Sequence, residues 1–427
     1  MHFKRRTYRS TVIFTVFLAI LFANAMPAER GLAQATQTNA SARVTSATHY
    51  QLIGVYDLAK LNHILGDELP DFLKSSPLPN EFQGRFPAAR YPVRLYKVTY
   101  ASVVPELNNQ PTLASGLVAV PETGRAEMPL VSYQHGTVFS ANSVPSRPDQ
   151  STETRIVLAG FAAQGYVVIG ADYFGRGDST LPDTYLLKGS AEQGNYDMLV
   201  AAKAVLNSLG VTSDHQFLLG WSQGGWETMA FLPRLETDGV PVTAAAVASA
   251  PVDLSLSLDR WLNNPQPIDA VFLPGVFTLE IEAYSHYHQV PGFDAFAIQP
   301  SFLEAARDLY AGKIDFETFY ARTPHTLRAF TRPEFRAMVA SGVGPYWNAI
   351  DADQVYRWRL ATPLRTFYGG DDEVTPYTIA MLPQQTQALL GGADTRAIDA
   401  GPKADHRAIF VRAVLEGRPW FDSFLTK

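Results

Sequence analysis

Apolar and polar positions alternate with a period of two across 95–104 and again across 113–120, the mark of strands with one buried face. Segments 129–133, 216–220, 242–248, 363–367 and 395–398 read as further strands. The run 166–171 is almost wholly apolar, as expected of a strand covered on both faces. Between the strands the period changes. Helices are predicted over 153–164, over 195–209 with Gly210 just beyond, and over 408–415. Strands that alternate with helices predict an α/β fold with a mostly parallel sheet, whose ligands sit beyond the carboxyl ends of the strands.

Two regions depart from this rhythm. In 37–93 a helix is expected from Tyr56 toward Leu65, after which Pro70, Pro77, Pro79 and Pro87 interrupt the pattern. The segment is expected to wrap the main domain or to supply a binding rim. The stretch 253–360 is too long for an ordinary connection between two strands. It has helical candidates at 301–309 and 333–340 and many exposed-looking aromatics: Phe277, Tyr284, Tyr287, Phe293, Phe296, Phe302, Phe319 and Tyr320. It is read as a helical cap or lid whose aromatics line a substrate pocket; that they form the insert's own core is a second reading, compatible with the first. The core then falls into two parts, 94–252 and 361–427.

The chemistry gathers at the strand ends. After the strand 216–220 comes Gly220-Trp221-Ser222-Gln223-Gly224, a G-x-S-x-G turn leading into a helix. Such a turn exposes a serine oxygen, which becomes nucleophilic when a histidine takes its proton. Gly220 and Gly224 keep the turn free of side chains. His406 alone among nine histidines follows the last predicted strands, so it is the expected base. The acid is expected after the strand 363–367, in Gly369-Gly370-Asp371-Asp372-Glu373, with Asp372 preferred and Asp371 the alternative. The acids would also suit the start of a helix near Pro376. Oxyanion donors are expected at the Gln223 N–H and in His135-Gly136-Thr137, at Thr137 or alternatively Gly136. His135 would fix that loop. Asp172-Tyr173-Phe174-Gly175-Arg176-Gly177 reads as support for the rim, with Asp172 and Arg176 an expected pair and Tyr173 a candidate to assist the oxyanion.

Composition narrows the setting. Lys4, Arg5, Arg6 and Arg9 precede an apolar run over 11–25, and small-x-small sites follow at Ala23-Asn24-Ala25 and Ala33-Gln34-Ala35. This is the grammar of an export signal at 1–25, cleaved as late as 35, which implies a periplasmic or extracellular protein. The run is short for a span of ~20 residues, so no stable membrane span is expected in the mature protein. Loss of 1–25, with four positive charges and no acid, would take the formal net charge from −6 to −10. An acidic chain disfavours nucleic acid as a partner. No cysteine is present, which excludes a thiol nucleophile and thiolate metal sites. Neither a cofactor nor a metal is expected, and nothing specifies an oligomeric state.

The elbow, the order Ser222–Asp372–His406, the His135-Gly136-Thr137 loop and the Asp172-to-Gly177 segment together resemble the α/β-hydrolase superfamily over 94–427. Within it the chain is similar to the secretory lipases and related esterases of bacteria and fungi, and its lack of disulfides fits the bacterial ones better. The resemblance implies hydrolysis of small-molecule or lipid esters through an acyl-enzyme. Two rival readings share much of this pattern. One is a serine exopeptidase, which uses the same triad. The other is a non-catalytic binding module, which would most naturally have lost a member of it.

Overall fold

A computed structural model describes residues 48–78, 80–288 and 290–425; the expected export signal lies outside the described residues. Among the described residues nine strands form one sheet: β1 (His49–Tyr56), β2 (Val93–Val104), β3 (Gln110–Pro121), β4 (Leu130–Gln134), β5 (Val167–Ala171), β6 (Gln216–Trp221), β7 (Ala244–Ala248), β8 (Leu364–Tyr368) and β9 (Thr395–Asp399). Their order is β1-β2-β3-β5-β4-β6-β7-β8-β9. The pairs β1–β2, β2–β3 and β3–β5 are antiparallel, and every pair from β5–β4 to β8–β9 is parallel.

The central strands are apolar because helices cover both of their faces. Every residue of β4, β5 and β7 is buried. Within β6, Phe217 and Leu219 face one core while Leu218 faces the other, as the two-residue period of a strand requires. The Leu218 side holds the helices Lys188–Ser208 and Gln223–Thr237; the Phe217 side holds Thr152–Gly160 and His406–Leu425. Two of these helices are longer than their apolar patterns predict. Lys188–Ser208 begins seven residues before the expected 195, and the last helix runs beyond 415 and through Pro419.

The sheet also begins earlier than expected. β1, inside the predicted wrapping segment, is an edge strand paired to β2 with a register shift between Leu52 and Gly54. The helix Leu58–His63 follows, started by the Asp57 carboxylate accepting from the Lys60 N–H. A π-helical turn, Ile64–Glu68, continues it. Leu61, Ile64, Leu69, Leu73 and Phe82 are buried in the core on the Phe217 side, so this segment packs over the main domain.

Between β7 and β8 lie the helices of the cap. Side chains start several of them: Asp253 caps Leu254–Asn263, Asp315 caps Phe316–Arg322, and Thr326 caps Leu327–Phe330. The aromatics Phe277, Tyr284, Tyr287, Phe293 and Phe319 are buried, and they pack among themselves and their neighbours as a core. They are not the exposed pocket aromatics that their density suggested. No helix among the described residues is long and apolar enough to cross a membrane.

Candidate active site

At the carboxyl end of β6 the chain turns sharply into the helix Gln223–Thr237. Ser222 stands at the turn with φ 57° and ψ −123°, a conformation that a residue with a Cβ rarely adopts. Holding such a residue costs on the order of 1–3 kcal/mol, which the surrounding structure must offset. Its N–H donates to Ala248 O at 2.9 Å, tying the turn to β7. The flanking glycines are steric necessities. A Cβ at Gly220 would lie 2.0 Å from Gly224 O, and one at Gly224 would lie 1.9 Å from Gln134 O. The Gln223 N–H belongs to the first turn of the helix, where backbone donors point outward and the helix dipole favours negative charge. The Gln223 side chain turns away to donate to Glu227.

His406 opens the last helix and is buried. Its Nδ1 lies 2.9 Å from Asp372 Oδ1, so a carboxylate accepts the Nδ1 proton and Nε2 is left as the basic nitrogen. Asp372 is itself held: Oδ1 also accepts from the Val374 N–H at 3.0 Å and the Thr375 N–H at 2.9 Å. Burial alone would push the imidazole down. The Asp372 charge and hydrogen bond, joined by Glu373 and Asp405, outweigh burial and lift it above its usual range. Asp371, the alternative acid, instead faces Lys403 at 3.4 Å. Glu373 accepts the His406 backbone N–H at 3.0 Å, and the Trp221 indole donates to His406 O at 3.0 Å. Two contacts fasten the far side of this loop: Ser76 Oγ donates to Asp405, and Arg407 donates to Phe72 O. The amino-terminal segment therefore braces the histidine.

The third component is the loop after β4. The His135 Nδ1–H donates to Gly136 O at 2.8 Å, the ring stacks on Tyr173 at 4.1 Å, and Tyr173 OH donates to His135 O at 3.0 Å. Burial pushes His135 down to about 4, so the ring is neutral at ordinary pH and serves to shape the loop. The Tyr173 hydroxyl is likewise directed at the loop backbone. The Gly136 N–H is engaged by Glu153 Oε1 at 2.9 Å, whereas Thr137 and Phe139 of the same loop line the cavity. Thr137 Oγ1 lies 2.7 Å from Tyr185 OH. The expected Asp172–Arg176 pair does not form. Asp172 accepts from Ser115 and from the Ser146 N–H, while Arg176 pairs with Asp183.

Glu153 carries no recognisable sequence signal, being one acid in a helix's first turn. The structure places it beneath the loop, where it accepts from both Tyr133 OH and the Gly136 N–H. Burial pushes its carboxyl up to about 7 despite these bonds.

Ser222, His406 and Thr137 meet in the wall of one cavity of about 280 Å³. The cap supplies much of the remaining wall through Leu254, Trp261, Val276 and Phe316. These are cap residues other than the aromatics singled out from the sequence.

No family model matches the sequence, and no curated protein matches it. Solved structures do match. A putative hydrolase of Legionella pneumophila superposes with a TM-score of 0.78 at 23% identity, over 89% of this chain and 98% of that one. The rice cell wall degrading esterase LipA of Xanthomonas oryzae gives 0.71 at 21%, over 86% of this chain and 93% of that one. Candida antarctica lipase A in its closed state gives 0.58 at 14%, over 86% and 82%. The chain has the α/β-hydrolase fold. In the α/β-hydrolase arrangement a serine elbow, a strand-end acid and a late histidine follow one another along the chain. The order Ser222, Asp372, His406 conforms to it, with the cap inserted between elbow and acid.

Proposed function

We propose that the protein is an exported serine hydrolase that cleaves carboxylic esters through an acyl-enzyme. One observation carries the reading. A serine held at a strained strand-to-helix turn shares a mostly apolar cavity with a buried histidine whose Nδ1 is bonded to a buried carboxylate. His406 Nε2 accepts the proton of Ser222 Oγ as the oxygen attacks the ester carbonyl. The Gln223 and Thr137 N–H groups receive the developing oxyanion. The imidazolium, stabilised by Asp372, then protonates the departing alcohol. Water, deprotonated by the same nitrogen, attacks the acyl-Ser222 ester and releases the acid. The names of the Xanthomonas oryzae esterase and the Candida antarctica lipase support an ester substrate, and the amino-terminal segment supports export.

A fluorophosphonate probe tests the reading. It is expected to label wild-type protein once per chain and to leave Ser222→Ala unlabelled, with ester turnover lower in that variant by about 10⁴-fold or more. Labelling that persists in Ser222→Ala, or cleavage of aminoacyl amides with no ester turnover, would sink it.

A further inference from the structure

The cap helix Leu273–Tyr287 presents a stripe to the cavity. Phe272, just before the helix, and Val276 and Glu280 within it lie at four-residue spacing, and all three line the wall. An apolar residue would suit the third position. Glu280 is instead a carboxyl with 1% of its surface exposed. Burying such a group without partners is costly, and a cap helix gains nothing from it as packing.

Among the described residues its carboxyl has one hydrogen-bond partner. Oε1 accepts from Tyr346 OH at 3.0 Å, and no described residue is bonded to Oε2. Glu373, the other acid in the wall, already accepts the His406 N–H. No cation pairs with Glu280 among the described residues. Burial and the nearby Asp353 charge push its carboxyl up to about 8, against the Tyr346 bond. At neutral pH it therefore keeps its proton and offers both a donor and an acceptor. The group that best answers such a pair is a neutral hydroxyl. The neighbouring walls (Leu254, Trp261, Phe272, Val276 and Phe316) suit the methylenes of an acyl chain.

We propose that Glu280 is a specificity-determining residue whose carboxyl hydrogen-bonds a hydroxyl carried on the acyl chain of the ester. The inference rests on the ester-hydrolase reading and names its substrate class: hydroxylated acyl esters.

The test compares ethyl esters from butanoate to decanoate, each plain and with a terminal hydroxyl, followed by pH-stat at neutral pH. Wild-type kcat/KM is expected to favour the hydroxylated ester about tenfold at the chain length that reaches Glu280, the size of one hydrogen bond. Glu280→Leu is expected to abolish that preference while still cleaving the plain esters and still taking the fluorophosphonate label. Glu280→Gln, which keeps a donor and an acceptor, is expected to retain most of the preference. Glu280→Met replaces the leucine variant if that one lacks a cooperative thermal transition. Labelling with no hydroxyl preference at any length overturns this inference alone. So does a preference that survives in Glu280→Leu, or a stronger preference for a terminal ammonium. Wild-type protein that neither labels nor cleaves any ester overturns the underlying reading and this inference with it.

Discussion

Asp372 concentrates three hydrogen bonds on one buried oxygen, two from the backbone of its own turn and one from His406. The backbone bonds fix the carboxylate, and the carboxylate fixes the ring. The same negative charge is the chief influence that lifts His406 against its burial. A base must be unprotonated to act, so activity is lost as pH falls through the histidine pKa. The acid limb of kcat/KM in wild-type protein is therefore expected above the ~6.5 of a free imidazole. In Asp372→Asn the charge is gone, and the amide can present N–H to Nδ1 and favour the wrong tautomer. kcat is expected to fall by roughly 10⁴-fold. The acid limb of the residual activity should move to lower pH. Asp371→Asn, by contrast, removes only a contact to Lys403 and should leave the rate within about twofold. Equal losses in the two variants would reassign the acid. The pH–rate profiles of both decide the matter.

At the scale of elements, the parallel centre of the sheet was legible because its strands are short apolar runs buried on both faces. β4 to β8 lie within two residues of the segments the pattern predicts. β1 was not legible. As an edge strand it exposes Leu52, Ile53 and Val55, so neither alternation nor a continuous polar face marks it. The candidate site was legible wherever a local rule governs it: the elbow turn, and the acid after β8 and histidine after β9 that the fold bonds to one another. Glu153 and Glu280 were not, because their significance comes from elements brought together by the fold. The cap misled in a specific way. Its aromatic density reflects a core of its own, and the pocket takes other residues. Phe277 is fully buried against Phe330 and Phe335, whereas Phe316 stacks on Phe139 at 4.1 Å and lines the cavity. Phe277→Ala is expected to lower stability by about 3–5 kcal/mol. Its acyl-length preference should stay as in wild type. Phe316→Ala is expected to shift that preference toward longer or bulkier acyl groups at a smaller cost in stability. Denaturant unfolding beside an ester-length series separates the two roles.

For the whole molecule the telling feature is how many carboxyls the fold buries without a full counter-charge. Burial pushes Glu153 and Glu282 up to about 7 and Glu227 and Glu280 up to about 8. Each binds its proton more tightly folded than unfolded. Their contribution to stability is complete below the unfolded carboxyl pKa of ~4.3 and is lost as pH rises through 7 to 8. His406, raised as well, acts in the same direction above ~6.5. His135 acts the other way, since its pKa is lowered to about 4, but its effect is complete once the unfolded imidazole has lost its proton near 6.5. Between about 6.5 and about 8, then, the raised groups weaken the folded state as pH rises and His135 no longer opposes them. A fall in Tm of about 5 °C or more is expected across that interval by differential scanning calorimetry. Glu227→Gln, whose amide oxygen can still accept from Asn195, should flatten the slope. A flat or rising Tm in wild-type protein would mean that the fold accommodates these carboxyls in their charged form. If the slope is as expected, activity and stability oppose one another. The proposed base His406, held above its usual range, loses its proton only above ~6.5, on the side where the buried carboxyls also lose the protons that stabilise the fold. The pH of greatest turnover should therefore lie above the pH of greatest stability, and parallel rate and calorimetric profiles on one preparation measure that separation.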